Sequence, residues 1–304
     1  MNVLITGISG FVGQNLQRYL TTNNLTVVGC SLRSSDWETK VLENVYTAII
    51  HLAGKAHDTS NTADPTDYFK VNYELTKEVF ETFLKSETRD FFYFSSVKAV
   101  ADSVADILEE NFTAVPLTPY GKSKLEAEKY LLSKHLPEGK RLFIIRPCMI
   151  HGPGNKGNLN LLYKVVEKGI PWPLASFNNK RSFLSIDNLS FLVLAMINKK
   201  EMNSGVYNFA DDIAISTNEL VTLIANNLGR SPRLWHIPTT LINFVAKIGD
   251  SIPFPLNSER VKKLTESYVV SNQKIKGALE IEKLPLTSKE GLVQTIRSFR
   301  SSNV

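Results

Sequence analysis

Apolar positions in the first half of the chain fall into two alternating textures. Short continuous runs occupy residues 3–6, 26–30, 48–52, 91–95 and 142–146. Between them lie longer stretches whose apolar residues recur every three to four positions: first Phe11, Val12, Leu16, Tyr19 and Leu20, then residues 66–85 and 120–134. A run that is apolar at every position is buried on both faces, so the pattern predicts parallel strands alternating with helices that cover both sides of one sheet. The gap between residues 30 and 48 has room for one short helix, near 36–43, and little else. A complete doubly wound half would place a further strand there, and the pattern predicts that this strand is missing or vestigial.

After Arg146 and Pro147 the texture changes. Gly, Pro and Asn cluster over 152–160 and 171–179, followed by a short strand pattern at 206–209 and helical patterns at 217–228 and 239–248. The expectation is an α/β protein with a doubly wound parallel sheet in residues 1–150 and a smaller α+β lobe in residues 151–304. Residues of about 181–212 are expected to cross back to the first domain.

Composition narrows the function classes. A length of 304 residues suits one large domain or two joined ones, and 43% hydrophobic with 21% charged residues excludes wholesale disorder. No window approaches the roughly 20 apolar residues of a bilayer-spanning helix; residues 191–197 form only a short buried stretch. The N-terminus has no basic segment and enters a strand at once, unlike a signal peptide. Two cysteines, Cys30 and Cys148, make neither a disulfide framework nor a metal cluster and fit a reducing cytoplasm. The net charge of +5 suits an anionic ligand, and no basic run interleaved with aromatics points to nucleic acid. The expectation is a cytoplasmic protein with no metal, membrane or nucleic-acid partner.

Gly7, Gly10 and Gly13 fall where the first strand pattern gives way to the first helix. Glycine there lets backbone N–H groups approach a pyrophosphate at the positive end of the helix, and the third lets the helix pack closely on the sheet. The placement predicts a Rossmann-like dinucleotide site built from Gly7, Ser9, Gly10, Phe11, Val12 and Gly13. An NAD-preferring site usually carries Asp or Glu at the end of the second strand, on the ribose hydroxyls. Here Cys30 is followed by Ser31, Leu32, Arg33, Ser34 and Ser35. No carboxylate repels a 2′-phosphate, and Ser31, Arg33 and Ser34 could bind one, so NADP is favoured over NAD. Asp36 is close enough to spoil that argument if the loop folds back.

Tyr120 and Lys124 stand four apart in a helical pattern, which puts a phenol and an ammonium on one face. A phenol of pKa ~10 is a poor base at neutral pH. A cation at ~4 Å in an effective dielectric of ~20 is worth about 4 kcal/mol, or some three pKa units. Tyr120 could then exchange a proton with a sugar or alcohol oxygen while hydride moves to or from a nicotinamide. Ser95 and Ser96 end the preceding strand at the carboxyl edge of the sheet, where ligands of such folds bind and a hydroxyl can hold the reacting oxygen.

These motifs resemble the extended short-chain dehydrogenases/reductases, specifically the NAD(P)-dependent nucleotide-sugar epimerase/dehydratase family, over essentially the whole chain. The glycines follow that family's Gly-x-x-Gly-x-x-Gly spacing. Counting back from Val100-Ala101-Asp102, which is similar to the family's Val-Tyr-Gly-Asp segment, makes Ser96 catalytic with Tyr120 and Lys124 and leaves Ser95 as the reserve. The resemblance implies a cofactor loop at Leu52, Ala53 and Gly54, with Asn72 supporting the site and Ser95, Tyr120 and Lys124 also near the cofactor. It implies a hinge at Arg146-Pro147 and His151-Gly152-Pro153-Gly154, a uridine-diphosphate contact at Asn158, and a diphosphate-binding Arg181. His51, His57 and His151 are read as structural or cofactor-adjacent, since Tyr120 fills the role of base. A homodimer through the helices at 66–85 and 120–134 is also implied.

Departures from the family pattern restrict the chemistry. Family 4,6-dehydratases carry an acidic pair just after the catalytic hydroxyl; this chain has Val97 and Lys98, and valine cannot protonate a leaving hydroxyl. Lys98 is a candidate substrate contact, and Met149 stands where many members have asparagine. Two chemistries at C4 of a nucleoside-diphosphate sugar, expected to be UDP-linked, remain. Ser31 and Arg33 lean to a 4-ketoreductase or C4-dehydrogenase, and Ser95-Ser96-Val97-Lys98 with residues 153–158 resembles the branch that handles sugars of the UDP-6-deoxy-HexNAc type; the alternative is a 4-epimerase with retained NAD. A non-catalytic dinucleotide sensor is the third reading, against which the intact Tyr120–Lys124 pair argues.

Overall fold

The computed structural model describes residues 1–55, 64–155, 157–251 and 257–301, so His57 and Lys156 lie outside the described residues. The strands are β1 (Asn2–Thr6), β2 (Thr26–Cys30), β3 (Ala48–His51), β4 (Asp90–Phe94), β5 (Ile107–Leu108), β6 (Arg141–Pro147), β7 (Met149–His151), β8 (Phe183–Ser185), β9 (Gly205–Phe209) and β10 (Val269–Val270). The α-helices are α1 (Phe11–Thr22), α2 (Trp37–Leu42), α3 (Pro65–Phe69), α4 (Leu75–Lys85), α5 (Pro119–Leu132), α6 (Asn158–Glu167), α7 (Ile186–Asn198), α8 (Thr217–Asn227), α9 (Thr239–Gly249), α10 (Ser258–Thr265), α11 (Gln273–Leu279) and α12 (Ser288–Ser301).

Six strands form one parallel sheet in the order β2-β1-β3-β4-β6-β9. Each central strand sends alternate side chains into two different cores, as the period of two requires. Val3 and Ile5, Ala48 and Ile50, Phe92 and Phe94, and Phe143 and Ile145 pack on one side with Leu16 of α1 and Leu192 and Met196 of α7. Leu4, Ile49, Phe91 with Tyr93, and Leu142 with Ile144 pack on the other with Trp37, Phe80, Phe83 and Leu131 of α2, α4 and α5. Burial of each large side chain contributes roughly 1.5–3 kcal/mol, which is why these continuous apolar runs settle in the sheet between two covering layers. Between β2 and β3 there is only α2, so the expected missing strand is indeed missing and β2 is an edge.

Segments from late in the chain complete this layer: α7 covers one face and β9 adds the sixth strand beside β6. A separate core joins α6, α8, α9 and α12 through Tyr163, Ile224, Ile242 and Ile296. Short parallel pairs, β7 with β8 and β5 with β10, tie later segments to earlier ones. The apolar pattern predicts one helix over 66–85; the structure divides it into α3 and α4 around a π-helical turn, Lys70–Glu74. Such a turn holds one residue more than the α-helical period and often marks a functional position. Among the described residues no helix is long and apolar enough to cross a membrane.

Candidate active site

All six parallel strands end on one edge, and the glycine loop lies there after β1. Gly7 has φ +69°, and a Cβ on it would stand 2.7 Å from the Ala53 amide nitrogen; one on Gly13 would stand 2.6 Å from the Gly7 carbonyl. Only glycine permits this close stacking of the loop on the residues after β3. The Gly10 N–H donates to the Gly7 carbonyl at 3.0 Å, and α1 starts with no side-chain cap and no acidic residue in its first turn. Its leading N–H groups therefore face outward, with the positive end of the helix, as a pyrophosphate requires. The cradle fits the diphosphate of a dinucleotide.

Thr6 fastens the second loop to the first: its Oγ1 accepts from the Ala53 N–H at 3.2 Å and pairs with His51 Nδ1 at 2.8 Å. His51 Nε2 pairs with Thr76 Oγ1 at 3.0 Å. Burial, reinforced by the Lys124 charge, pushes His51 down to about 3, so it is a neutral bracket. Asn72, carried by the π turn, grips the loop from the other side. Its Oδ1 accepts from Lys55 N–H at 2.8 Å, while Nδ2 donates to the Lys55 carbonyl and to Ser123 Oγ, both at 3.1 Å.

Helix α5 supplies the reactive face. Asp102 accepts from the Leu117 N–H at 2.7 Å and the Thr118 N–H at 3.3 Å, and Thr118 caps the helix by accepting from the Gly121 N–H. Tyr120 is then hydrogen-bonded to Ser96, while the Ser96 Oγ also accepts from the Lys98 N–H at 3.1 Å. Ser95 turns the other way and donates to Glu128 in the interior, so of the two serines Ser96 is the one beside the phenol. Lys124 Nζ donates to the Phe94 carbonyl at 2.8 Å and lies 4.9 Å from the Tyr93 ring centre. A Cβ placed on Gly54 would be 3.3 Å from Lys124 Nζ, which puts the ammonium against the cofactor loop.

The electrostatics differ from the sequence-based expectation. Burial raises the Tyr120 phenol; the Ser96 hydrogen bond opposes that rise, and Tyr68, edge-on at 6.0 Å, adds to it. Lys124 itself is pushed down to about 8 by burial, with Glu128 pulling it back up. In the cofactor-free chain the Ser96 hydrogen bond opposes that rise without reversing it.

At the end of β2, Ser31 and Arg33 are exposed, whereas Ser34 donates its hydroxyl to Asp36. The Ser34 hydrogen bond and the Lys40 ion pair at 3.0 Å hold the Asp36 carboxyl below its usual range. The loop does fold back, and a carboxylate stands next to Ser34. Among the expected substrate contacts, Lys98 Nζ donates to the Asp102 carbonyl at 2.7 Å and lies 4.6 Å over Tyr268. Arg181 donates to the carbonyls of Glu266, at 3.1 Å, and Lys263. Asn158 is exposed in the first turn of α6, whose N-terminus lacks a side-chain cap. His151 is buried, with Nδ1 2.8 Å from Thr295 Oγ1. Missed by the sequence reading were Asp102 as the anchor of α5, Tyr68, and the Glu128–Arg146 ion pair at 2.5 Å. Of these, only Glu128 carried a signal, eight residues beyond Tyr120 on the same helical face.

A parallel sheet with a glycine cradle and a Ser-Tyr-Lys set at its carboxyl edge defines a nicotinamide-dinucleotide oxidoreductase of the short-chain type. The family model described as the NAD dependent epimerase/dehydratase family matches residues 3–210, and the chain belongs to that family. It is 30% identical over 325 aligned positions to a UDP-glucose 4-epimerase of Vibrio cholerae, covering 99% of this chain and 96% of that protein. It is 27% identical to a GDP-6-deoxy-D-mannose reductase of Pseudomonas aeruginosa, covering 74% of this chain and 79% of that one. Among solved structures, MoeE5 in complex with UDP-glucose and NAD shares the fold with a TM-score of 0.78, 18% identity and 100% coverage of both chains.

Two outcomes are expected. Gly13→Ala should weaken dinucleotide binding by about tenfold or more by calorimetry, because the cradle must open to admit the methyl group. A histidine whose folded value lies below its unfolded 6.5 takes up more protons when unfolded, so stability falls as pH drops from 6.5 toward about 3. Urea unfolding should therefore show about 2 kcal/mol lost to His51 between pH 7 and 5, a loss absent in His51→Gln.

Proposed function

We propose that this chain transfers hydride at C4 of a UDP-linked sugar, and that it does so as a 4-epimerase. The observation that carries the reading is the meeting of Ser96 and Tyr120 in front of Lys124, at the mouth of the Gly7–Gly13 cradle. A nicotinamide, when bound, supplies the hydride acceptor and donor. Ser96 would hold the C4 oxygen, and Tyr120 would take its proton on oxidation and return it on reduction. Lys124 adds positive charge that favours the phenolate. Asn158 and Arg181 are assigned to the nucleotide diphosphate, and Lys98 to the sugar side.

Full-length similarity to the 4-epimerase supports epimerisation, and Asp36 beside Ser34 weakens the case for a 2′-phosphate. Arg33 keeps the NADP-dependent 4-ketoreductase of a UDP-6-deoxy-HexNAc type sugar as the second reading, since it is exposed at the end of β2 with no carboxylate on the strand itself. The proposal includes a cytoplasmic homodimer paired through α4 and α5, with a cofactor domain in residues 1–150 and a sugar-nucleotide lobe in 151–304.

Denaturing protein purified without added cofactor and identifying what is released separates the readings. About one NAD per chain supports the epimerase; an empty site that takes NADPH more tightly than NADH supports the reductase. If Arg33 holds a 2′-phosphate, Arg33→Ala lowers the NADP:NAD affinity ratio; an unchanged ratio removes that argument. Tyr120→Phe should lower kcat by about 10²–10⁴ with dinucleotide affinity kept, whereas a non-catalytic sensor would be indifferent to it.

A further inference from the structure

Tyr120, Lys124 and Glu128 succeed one another every four residues on α5, and the end of β4 meets all three. Ser96 bonds Tyr120, the Phe94 carbonyl accepts from Lys124, and Ser95 donates to Glu128. Glu128 is 1% exposed, and Arg146 of β6, 6% exposed, clasps it with Nη2 at 2.5 Å and Nε at 3.0 Å. Arg146 is steadied in turn by the Glu110 carbonyl at 3.3 Å, and Glu110 by the Asn208 N–H at 2.8 Å. A buried ion pair gives little net stability compared with an apolar pair of the same size, so stability alone does not account for one placed directly behind the reactive lysine.

We propose that Glu128 is a positioning residue for the C4 chemistry: fixed by Ser95 and Arg146, its carboxylate keeps the buried Lys124 ammonium charged. This rests on the Ser96–Tyr120–Lys124 reading above. The groups facing Lys124 are few among the described residues. From β3 comes neutral His51, from β4 the Tyr93 ring, and from the π turn Asn72 across Gly54. From α5 itself come Tyr120 and Glu128, with Arg146 of β6 on the far side of the carboxylate. Glu128 is the anion in that set. Glu128 stands one turn beyond Lys124 on α5, and burial pushes Lys124 down to about 8 while that carboxylate opposes the fall, so a chain without it would hold less positive charge behind Tyr120.

The test titrates Lys124 in the cofactor-free chain by NMR of lysine labelled with ¹³C at Cε, the signal being assigned by its loss in Lys124→Met. It needs no substrate, so it stands or falls separately from the identity of the sugar. Glu128→Gln should lower the Lys124 midpoint by about one pH unit, and Arg146→Gln, which removes a cation and leaves the carboxylate to Lys124, should raise it. Ser95→Ala, which removes a hydrogen bond and no charge, should leave it in place. The alkaline limb of kcat against pH should move with the midpoint in each variant. An unmoved midpoint in Glu128→Gln, or a fall in Arg146→Gln, overturns the proposal; if one variant fails to fold, the sign found in the other decides.

Discussion

The docking of α5 onto the carboxyl end of β4 is the constraint on which the site depends. Asp102 and Thr118 fix where the helix begins, and its 3.6-residue period then delivers Tyr120, Lys124 and Glu128 to Ser96, the Phe94 carbonyl and Ser95. A shift of one residue at the end of β4 would swap the serines, turning Ser95 toward the phenol and Ser96 into the interior, and a shift of one residue in α5 would turn Tyr120 by about 100° away from Ser96. The geometry of the site is thus set by a half-buried helix start and by a strand end buried over the aromatic core.

A second set of ties joins the glycine loop to α5. Thr6, at the end of β1, binds both Ala53 and His51, and Asn72 holds Lys55 while touching Ser123 of α5. The glycine cradle, the loop after β3 and α5 therefore form one polar assembly above the sheet. Its members are neutral or paired, which keeps the low-dielectric interior tolerable and leaves Lys124 as the group whose charge is most costly to maintain.

Much of this was legible in the sequence, for identifiable reasons. Strands buried on both faces read as unbroken apolar runs, so the sheet and its missing strand followed from 3–6, 26–30, 48–52, 91–95 and 142–146. The i, i+4 spacing of Tyr120 and Lys124 showed a shared face, and the glycines showed the cradle. Tertiary contacts left no local trace. The π turn puts polar Asn72 and Thr76 in the interior, where no apolar pattern marks it, β5 and β10 have two residues each, and the bond from Ser34 to Asp36 depends on how a loop folds. Which serine faces the phenol shows only with Ser95 bound to Glu128, and the rise of the Tyr120 phenol, driven by burial and opposed by Ser96, depends on packing that leaves no local pattern.

The most direct measurement follows an isotope at C4. UDP-hexoses and their N-acetyl and 6-deoxy forms, deuterated at C4, would be incubated with the protein and a nicotinamide dinucleotide, and the label located by NMR. The account predicts that deuterium leaves C4 as hydride and is found on the nicotinamide ring or back at C4 of the opposite epimer. Turnover with the label untouched at C4, or its loss to solvent as a proton, would contradict it.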